Sequence, residues 1–256
     1  MFYNRGSKSE QLLILGLGLG LCLTPIHTAF AQDQTSSSES QIESQVESQD
    51  ENVETSETSP SETPAEQSQP MLSFESFLPF CQYVEYVYQG DEQEIASYNM
   101  ILEFAKDQNG LFQAVKFVGD NAQALIYQVT DQGLYQLATF DNYLNVEDLR
   151  YSDQVDPNRR SLILPRNIQI GVEFKSGYNQ EINATIEDII DEFYLGQVAY
   201  QNVVKVREAD TSNPNQASLV KYYAPKAGLI AVQIVDQSGQ AVTVLQLNSI
   251  DGEITY

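Results

Sequence analysis

Residues 111–140 read LFQAVKFVGDNAQALIYQVTDQGLYQLATF and carry the clearest information on the fold. Three runs, 111–118, 122–129 and 134–140, are rich in β-branched and aromatic residues. The turn residues GDN and TDQG separate them. Short runs of this kind, divided by Gly, Asn and Asp, are typical of β-hairpins. The stretch therefore predicts three consecutive antiparallel strands.

The same pattern extends to both sides of this stretch. Further strand-like runs follow one another at 80–88, 98–106, 167–174, 203–209, 218–224, 229–236 and 241–250. We therefore predict a single, mainly all-β domain over 71–256, an antiparallel meander of about 10–11 strands. Such a sheet curls into a half-barrel or forms a sandwich.

Two segments leave room for one or two short helices. In 185–195 (TIEDIIDEFYL), apolar residues recur at helical spacing, and Thr185 with Asp188 resembles a capping box. Residues 142–150 fit either a short helix or an irregular crossover. Periodicity alone does not decide either segment.

The first 31 residues have the order of a secretory signal peptide. Arg5 and Lys8 precede the apolar run 12–23, and small residues stand at Ala29 and Ala31. Cleavage is expected after Ala31, so the mature chain should contain no transmembrane helix. The apolar run is also shorter than the ~20 residues that a membrane span needs, which disfavours a membrane anchor. Leu21 before Cys22 disfavours lipidation. We predict a secreted, extracellular protein, either released or associated with the cell envelope.

Residues 32–70 have the composition of a disordered linker. The segment holds ten carboxylates with no basic and no aromatic residue, among Ser, Glu, Gln and Thr. Such a chain cannot bury enough apolar surface to offset the entropy of ordering. We predict a self-repelling acidic spacer ahead of the domain.

The charge balance and the rare residues exclude several functions. The formal net charge is −23, which disfavours binding to nucleic acid. The single His and one of two Cys lie in the signal segment. Without imidazole, zinc sites and Ser-His or Cys-His catalysis lack their usual groups. Cys81 is expected to be a core thiol. No catalytic residue, metal site or cofactor is predicted, and the sequence does not define an oligomeric state.

The acidic cluster of the domain reads as surface charge. It comprises Glu187, Asp188, Asp191 and Glu192. On a strand these side chains divide between two faces, and on a helix they line one solvated face. Neither geometry sets two acids across a glycosidic bond, although a carboxylate-dependent hydrolase stays an alternative.

The segment around Pro225 predicts a tight turn. Pro225 presets φ and Gly228 supplies a positive φ between two strands, so Lys226 falls at a position that most residues accept. Tyr222 and Tyr223 precede the turn, and adjacent strand residues face opposite sides. One of the two tyrosines is therefore expected to be exposed or to line a concavity. Tyr222, Tyr223 and Lys226 are the candidate ligand or interface residues.

Residues 221–230 (KYYAPKAGLI) resemble the YYAPGVGLVK signature of uncharacterised secreted proteins and lipoproteins of Gram-positive bacteria, with the match from Tyr222 to Ile230. Residues 79–98, 167–174 and 200–206 follow the order of that family. The resemblance implies an extracytoplasmic antiparallel sheet, with a strand at 187–195, and no established activity. Lys226 replaces a family glycine.

These observations lead to three hypotheses of function. The first is a non-catalytic, envelope-associated β domain that binds a protein, a glycan or an apolar ligand. The second is a carrier or sensor of a lipid-like molecule in a half-barrel concavity. The third is the glycan hydrolase. The side chains that line the concave face distinguish them.

Overall fold

Antiparallel strands dominate the computed structural model, which describes residues 72–78, 83–213 and 216–252. All described residues fall within one compact unit. The elements are a 3₁₀ helix (Phe74–Phe77), β1 (Glu85–Gly90), β2 (Tyr98–Phe104), β3 (Leu111–Val118), β4 (Asn121–Val129), β5 (Gly133–Phe140), β6 (Ser161–Pro165), β7 (Glu173–Ser176), β8 (Ile182–Leu195), β9 (Val198–Asp210), β10 (Ser218–Ala224), β11 (Gly228–Val235) and β12 (Ala241–Asp251).

The twelve strands form one nearly closed sheet. Strands β1 to β6 make one meander and β7 to β12 a second, and β1 pairs with β12 to join them. The two edge strands, β6 and β7, do not pair through a backbone ladder, but their side chains come into contact. Ser161 Oγ lies 3.2 Å from Ser176 Oγ and accepts a hydrogen bond from the Gly177 N–H at 2.9 Å. The sheet therefore curls into a barrel rather than separating into a sandwich.

The connections divide between two ends of the barrel because neighbouring strands are antiparallel. One end, here the upper end, carries 91–97, 119–120, 141–160, 177–181 and 236–240. The opposite lower end carries 105–110, 130–132, 166–172, 196–197 and 225–227. The long connection 141–160, here the crossover segment, joins β5 to β6.

The 3₁₀ helix covers part of the lower end. Its side chains Phe74 and Phe77 are only 3% and 1% exposed. The Lys226 N–H donates to the Ser76 carbonyl at 2.5 Å. Arg166 forms an ion pair with Glu75 at 2.6 Å and lies over the Phe74 ring. Burial of two aromatic rings thus ties this short helix to the turns of the lower end.

Aromatic rings fill the interior of the barrel. Tyr88 and Tyr98 lie opposite each other on β1 and β2, and their rings stack with centroids 4.7 Å apart. Tyr127 from β4 and Tyr223 from β10 are close enough to raise the pKa of Tyr88, after the larger effect of burial. Tyrosines from four strands therefore converge in the core.

A second apolar cluster lies on the outer side of the sheet. It contains the buried residues Leu111, Ile126, Tyr135 and Leu137, with Leu149 and Val155 of the crossover segment packed against it. The crossover segment therefore shields the outer face of β3 to β5 from water.

The helix alternative for 185–195 is wrong, because these residues belong to β8. β8 pairs with β9 along its length, with a register shift between Ile186 and Asp188. That bulge moves the apolar alternation by one residue, so Ile186, Ile189 and Ile190 imitate helical spacing. Residues 142–150 form no helix and belong to the irregular crossover segment.

Several predicted strand limits also need correction. The predicted strand 167–174 contains only the start of β7, because Gly171 takes a positive φ of 85° and 166–172 form a connection. The sequence pattern missed β6. The described part of the predicted strand 80–88 begins to pair at Glu85. The signal peptide, the linker, Cys22 and Cys81 lie outside the described residues.

Candidate functional site

Both tyrosines of the predicted pair are buried. Tyr222 and Tyr223 are 6% and 5% exposed. Tyr223 points into the barrel, where burial raises its pKa well above the usual value. Tyr222 lies on the outer side, stacks on Phe193 at 4.6 Å and donates to Gln233 Oε1 at 2.9 Å. Tyr223 thus lines the interior, whereas Phe193 covers the outward ring.

Pro225 to Ala227 form the turn between β10 and β11. Gly228 has a φ of 69°. Lys226 has a φ of 68°, so the expectation that most residues suit its position is wrong. A side chain in this left-handed region carries a steric cost that glycine avoids. The Lys226 N–H of this turn donates a hydrogen bond to the Ser76 carbonyl of the 3₁₀ helix.

A buried ion pair lies inside the barrel. Lys221 Nζ is 2.7 Å from Glu208 Oε1 and 2.6 Å from Oε2. The Glu208 side chain is 2% exposed, and that of Lys221 is 13% exposed. Lys221 therefore neutralises this carboxylate, whereas a glycan hydrolase needs two acids free to act on one bond.

The acidic cluster at 187–192 lies on β8, away from the ion pair. Glu187 Oε2 is 3.0 Å from Lys205 Nζ, and its other oxygen accepts from Arg207. Asp191 and Glu192 are exposed. Within the described part of the chain, no group of three or more His, Cys, Asp or Glu is placed to hold a metal ion.

A surface depression, here the outer groove, has a volume of about 410 Å³. The register places Val87, Asn99 and Phe117 side by side on three neighbouring strands. Asn248 adds a fourth strand. The complete lining is Val87, Tyr88, Gln89, Ser97, Tyr98, Asn99, Phe117, Gly119 and Asn248. None of these side chains carries a formal charge at neutral pH.

Hydrogen bonds fix part of this groove and leave part of it free. Ser97 Oγ accepts from the Gly90 N–H at 3.0 Å, and Asn99 Nδ2 donates to Glu85 Oε1 at 2.8 Å. The exposed amides of Gln89 and Asn248 make no hydrogen bond within the described residues. Phe117 is 39% exposed. The groove thus offers free amides and an open aromatic ring.

Gln113 holds the crossover segment against the outer face of β3. This side chain is fully buried. Its Nε2 lies 2.7 Å from Glu103 Oε2, 3.2 Å from the Tyr143 hydroxyl and 2.9 Å from the Glu147 carbonyl. Its Oε1 accepts from the Leu149 N–H at 2.8 Å. One glutamine therefore organises the start of the crossover segment.

The crossover segment forms one wall of a smaller depression, here the crossover pocket, of about 220 Å³. β5 supplies its floor, and Tyr178 closes it from the β7–β8 connection. The full lining is Leu137, Ala138, Thr139, Phe140, Gln154, Asp156, Arg159 and Tyr178. This pocket combines an apolar floor with both signs of charge.

The outer groove and the crossover pocket gather residues that are far apart in sequence. Sequence reasoning missed both of them, because no short motif contains their lining. The only local signal is composition, since Gln, Asn and Ser recur in the outward positions of β1, β2 and β12.

No model of a known protein family matches the chain, and no curated protein matches it. Among solved structures, one match is a “putative lipoprotein” from Parabacteroides distasonis. It is 12% identical, covers 72% of this chain and all of its own length, and has a TM-score of 0.34. Among the described residues, no helix is long and apolar enough to cross a bilayer.

Proposed function

We propose that this protein is a secreted, non-catalytic binding domain that holds an uncharged oligosaccharide in the outer groove. The observation that carries the proposal is the lining, in which the free amides of Gln89 and Asn248 share one groove with the exposed ring of Phe117. A sugar presents hydroxyls to amides and C–H groups to an aromatic face. A groove of about 410 Å³ lies within the size range of ligand sites.

The chemistry of the groove favours a glycan over the other ligands. An apolar ligand would leave the amides of Gln89 and Asn248 without hydrogen bonds on burial. The barrel interior supports a lipid carrier less well, because tyrosine rings and the Glu208–Lys221 pair occupy it. Export of the chain is the part of the proposal that rests on the signal pattern at 1–31.

Titration calorimetry of the full-length protein with chitotetraose and cellotetraose tests the ligand. We expect at least one of these sugars to bind and Phe117→Ala to weaken it about tenfold, through loss of ring contact. Asn248→Ala should weaken it about fivefold, as expected for one hydrogen bond. Val242→Ala is the matched control, since Val242 is 54% exposed on β12 and does not line the groove. Absence of binding by both sugars, or equal losses in all three variants, would refute the proposal.

N-terminal sequencing of the exported product tests the location. Cleavage after Ala31 gives a chain that begins at Gln32. An acylated Cys22, or a product retained inside the cell with Met1, would contradict secretion by this signal.

A further inference from the structure

We propose that the crossover pocket binds a small zwitterion, namely a free α-amino acid with an apolar side chain. The pocket lies at the upper end of the barrel and shares no lining residue with the outer groove. This inference is therefore independent of the proposed glycan site. It rests on two opposite charges and an apolar floor that line one small volume.

The two charged side chains of the pocket are available to a ligand. Arg159 and Asp156 both line the pocket, yet they form no ion pair with each other or with any other described residue. Asp156 Oδ1 accepts from the Asn158 N–H at 2.8 Å, which orients the carboxylate. A carboxylate can bind Arg159 through paired hydrogen bonds, and an ammonium group can bind Asp156.

The rest of the lining suits an apolar side chain with a polar head. Leu137 is 5% exposed, and with Ala138 and Phe140 it provides an apolar floor. The Tyr178 side chain adds an aromatic wall, with the Arg159 guanidinium 6.0 Å from the centre of its ring.

Size and overall charge narrow the class of ligand. A volume of about 220 Å³ is below that of sites for drug-sized molecules, which begin near 300 Å³, and suits a single small metabolite. The formal net charge of the chain is −23, so its field opposes the approach of an anion. A zwitterion has no net charge and avoids this repulsion, yet it still satisfies Arg159 and Asp156.

Titration calorimetry of the full-length protein with L-leucine tests this assignment. Isopentylamine lacks the carboxylate of leucine, and 4-methylpentanoate lacks its amine. We expect L-leucine to bind and each analogue to bind at least about tenfold more weakly, because each loses one charge-assisted contact. Equal binding of leucine and either analogue, or no binding of leucine at millimolar concentration, would overturn the inference.

Variants distinguish the pocket from other charged surfaces. Arg159→Gln and Asp156→Asn should each weaken leucine about tenfold, with thermal midpoints close to that of the wild type because both side chains are exposed. Arg160→Gln is the neighbouring control, since Arg160 packs over Tyr135 at 4.1 Å and does not line the pocket. Phe117→Ala should leave leucine binding unchanged. Unaltered affinity in Arg159→Gln, or an equal loss in Arg160→Gln, would refute the site.

Discussion

Removal of one partner of the Glu208–Lys221 pair should destabilise the domain more than removal of both. Lys221→Met leaves Glu208, whose side chain is 2% exposed, without its cation. An uncompensated buried charge of this kind costs about 3–5 kcal/mol. Total stabilities of about 5–15 kcal/mol are usual, so this single change would remove a large fraction of the folding free energy.

The double variant Glu208→Leu with Lys221→Met removes both charges and keeps similar side-chain volumes. Exchange of a buried ion pair for packed apolar residues is often neutral or stabilising. We therefore expect the double variant to lie within about 1 kcal/mol of the wild type. The difference between single and double variants measures the coupling of the two residues.

Urea denaturation, followed by tyrosine fluorescence and far-UV circular dichroism, gives the required free energies. The m-values of all variants should agree, because the barrel exposes the same surface on unfolding. A loss below about 1 kcal/mol in Lys221→Met would show that water reaches Glu208 and would refute the buried pair. A double variant as unstable as Lys221→Met would show that shape, rather than charge, determines the cost.

Three further predictions follow from single residues. Gln113→Ala should cost about 2–4 kcal/mol in a urea titration and expose the crossover segment to proteases, because it removes several buried hydrogen bonds. The control Gln123→Ala, which removes one solvent-exposed hydrogen bond to Asp141, should cost under about 0.5 kcal/mol. Gly228→Ala should cost on the order of 1 kcal/mol or more, because the position has a positive φ that glycine adopts without strain. Lys226 also has a positive φ, so Lys226→Gly should stabilise the turn by up to about 1 kcal/mol. Stabilisation by Gly228→Ala, or destabilisation by Lys226→Gly, in the same urea titration would contradict the turn geometry. Burial lowers the pKa of Lys116, so the unfolded chain binds its extra proton and the Lys116 contribution to stability rises with pH just below 10.5. The buried tyrosines, whose pKa values burial raises, act in the opposite direction. Lys116→Met should therefore make stability fall more steeply with pH in this range, and a pH profile identical to the wild type would argue against the half-buried position of Lys116.

Local alternation and turn residues predicted most of the sheet. The predicted runs 111–118 and 218–224 coincide with β3 and β10. Both strands have clear turn residues at their ends, so boundaries and type could be predicted together. The two meanders form one barrel because β1 pairs with β12. These strands are far apart in sequence, so no local pattern could predict their pairing.

Where the prediction failed, a backbone irregularity or an edge position was responsible. β6 is short and ends in Pro165, which only an edge strand accepts, so its sequence looks like a connection. The bulge in β8 gave residues 185–195 a helical spacing, so periodicity left helix and strand both open. The outer groove and the crossover pocket need residues from distant strands, and they became visible only once the register was known.

The 3₁₀ helix makes the two ends of the barrel different, because it lies at the lower end only. The chain enters the described region at residue 72, beside the turn at 225–227, and Phe74 and Phe77 anchor this entry point. The outer groove and the crossover pocket both lie toward the upper end. A force applied through residue 72 would therefore act on the lower turns first, and both depressions face away from that point. If the preceding residues serve as a tether, both depressions would lie at the end of the domain opposite the tether.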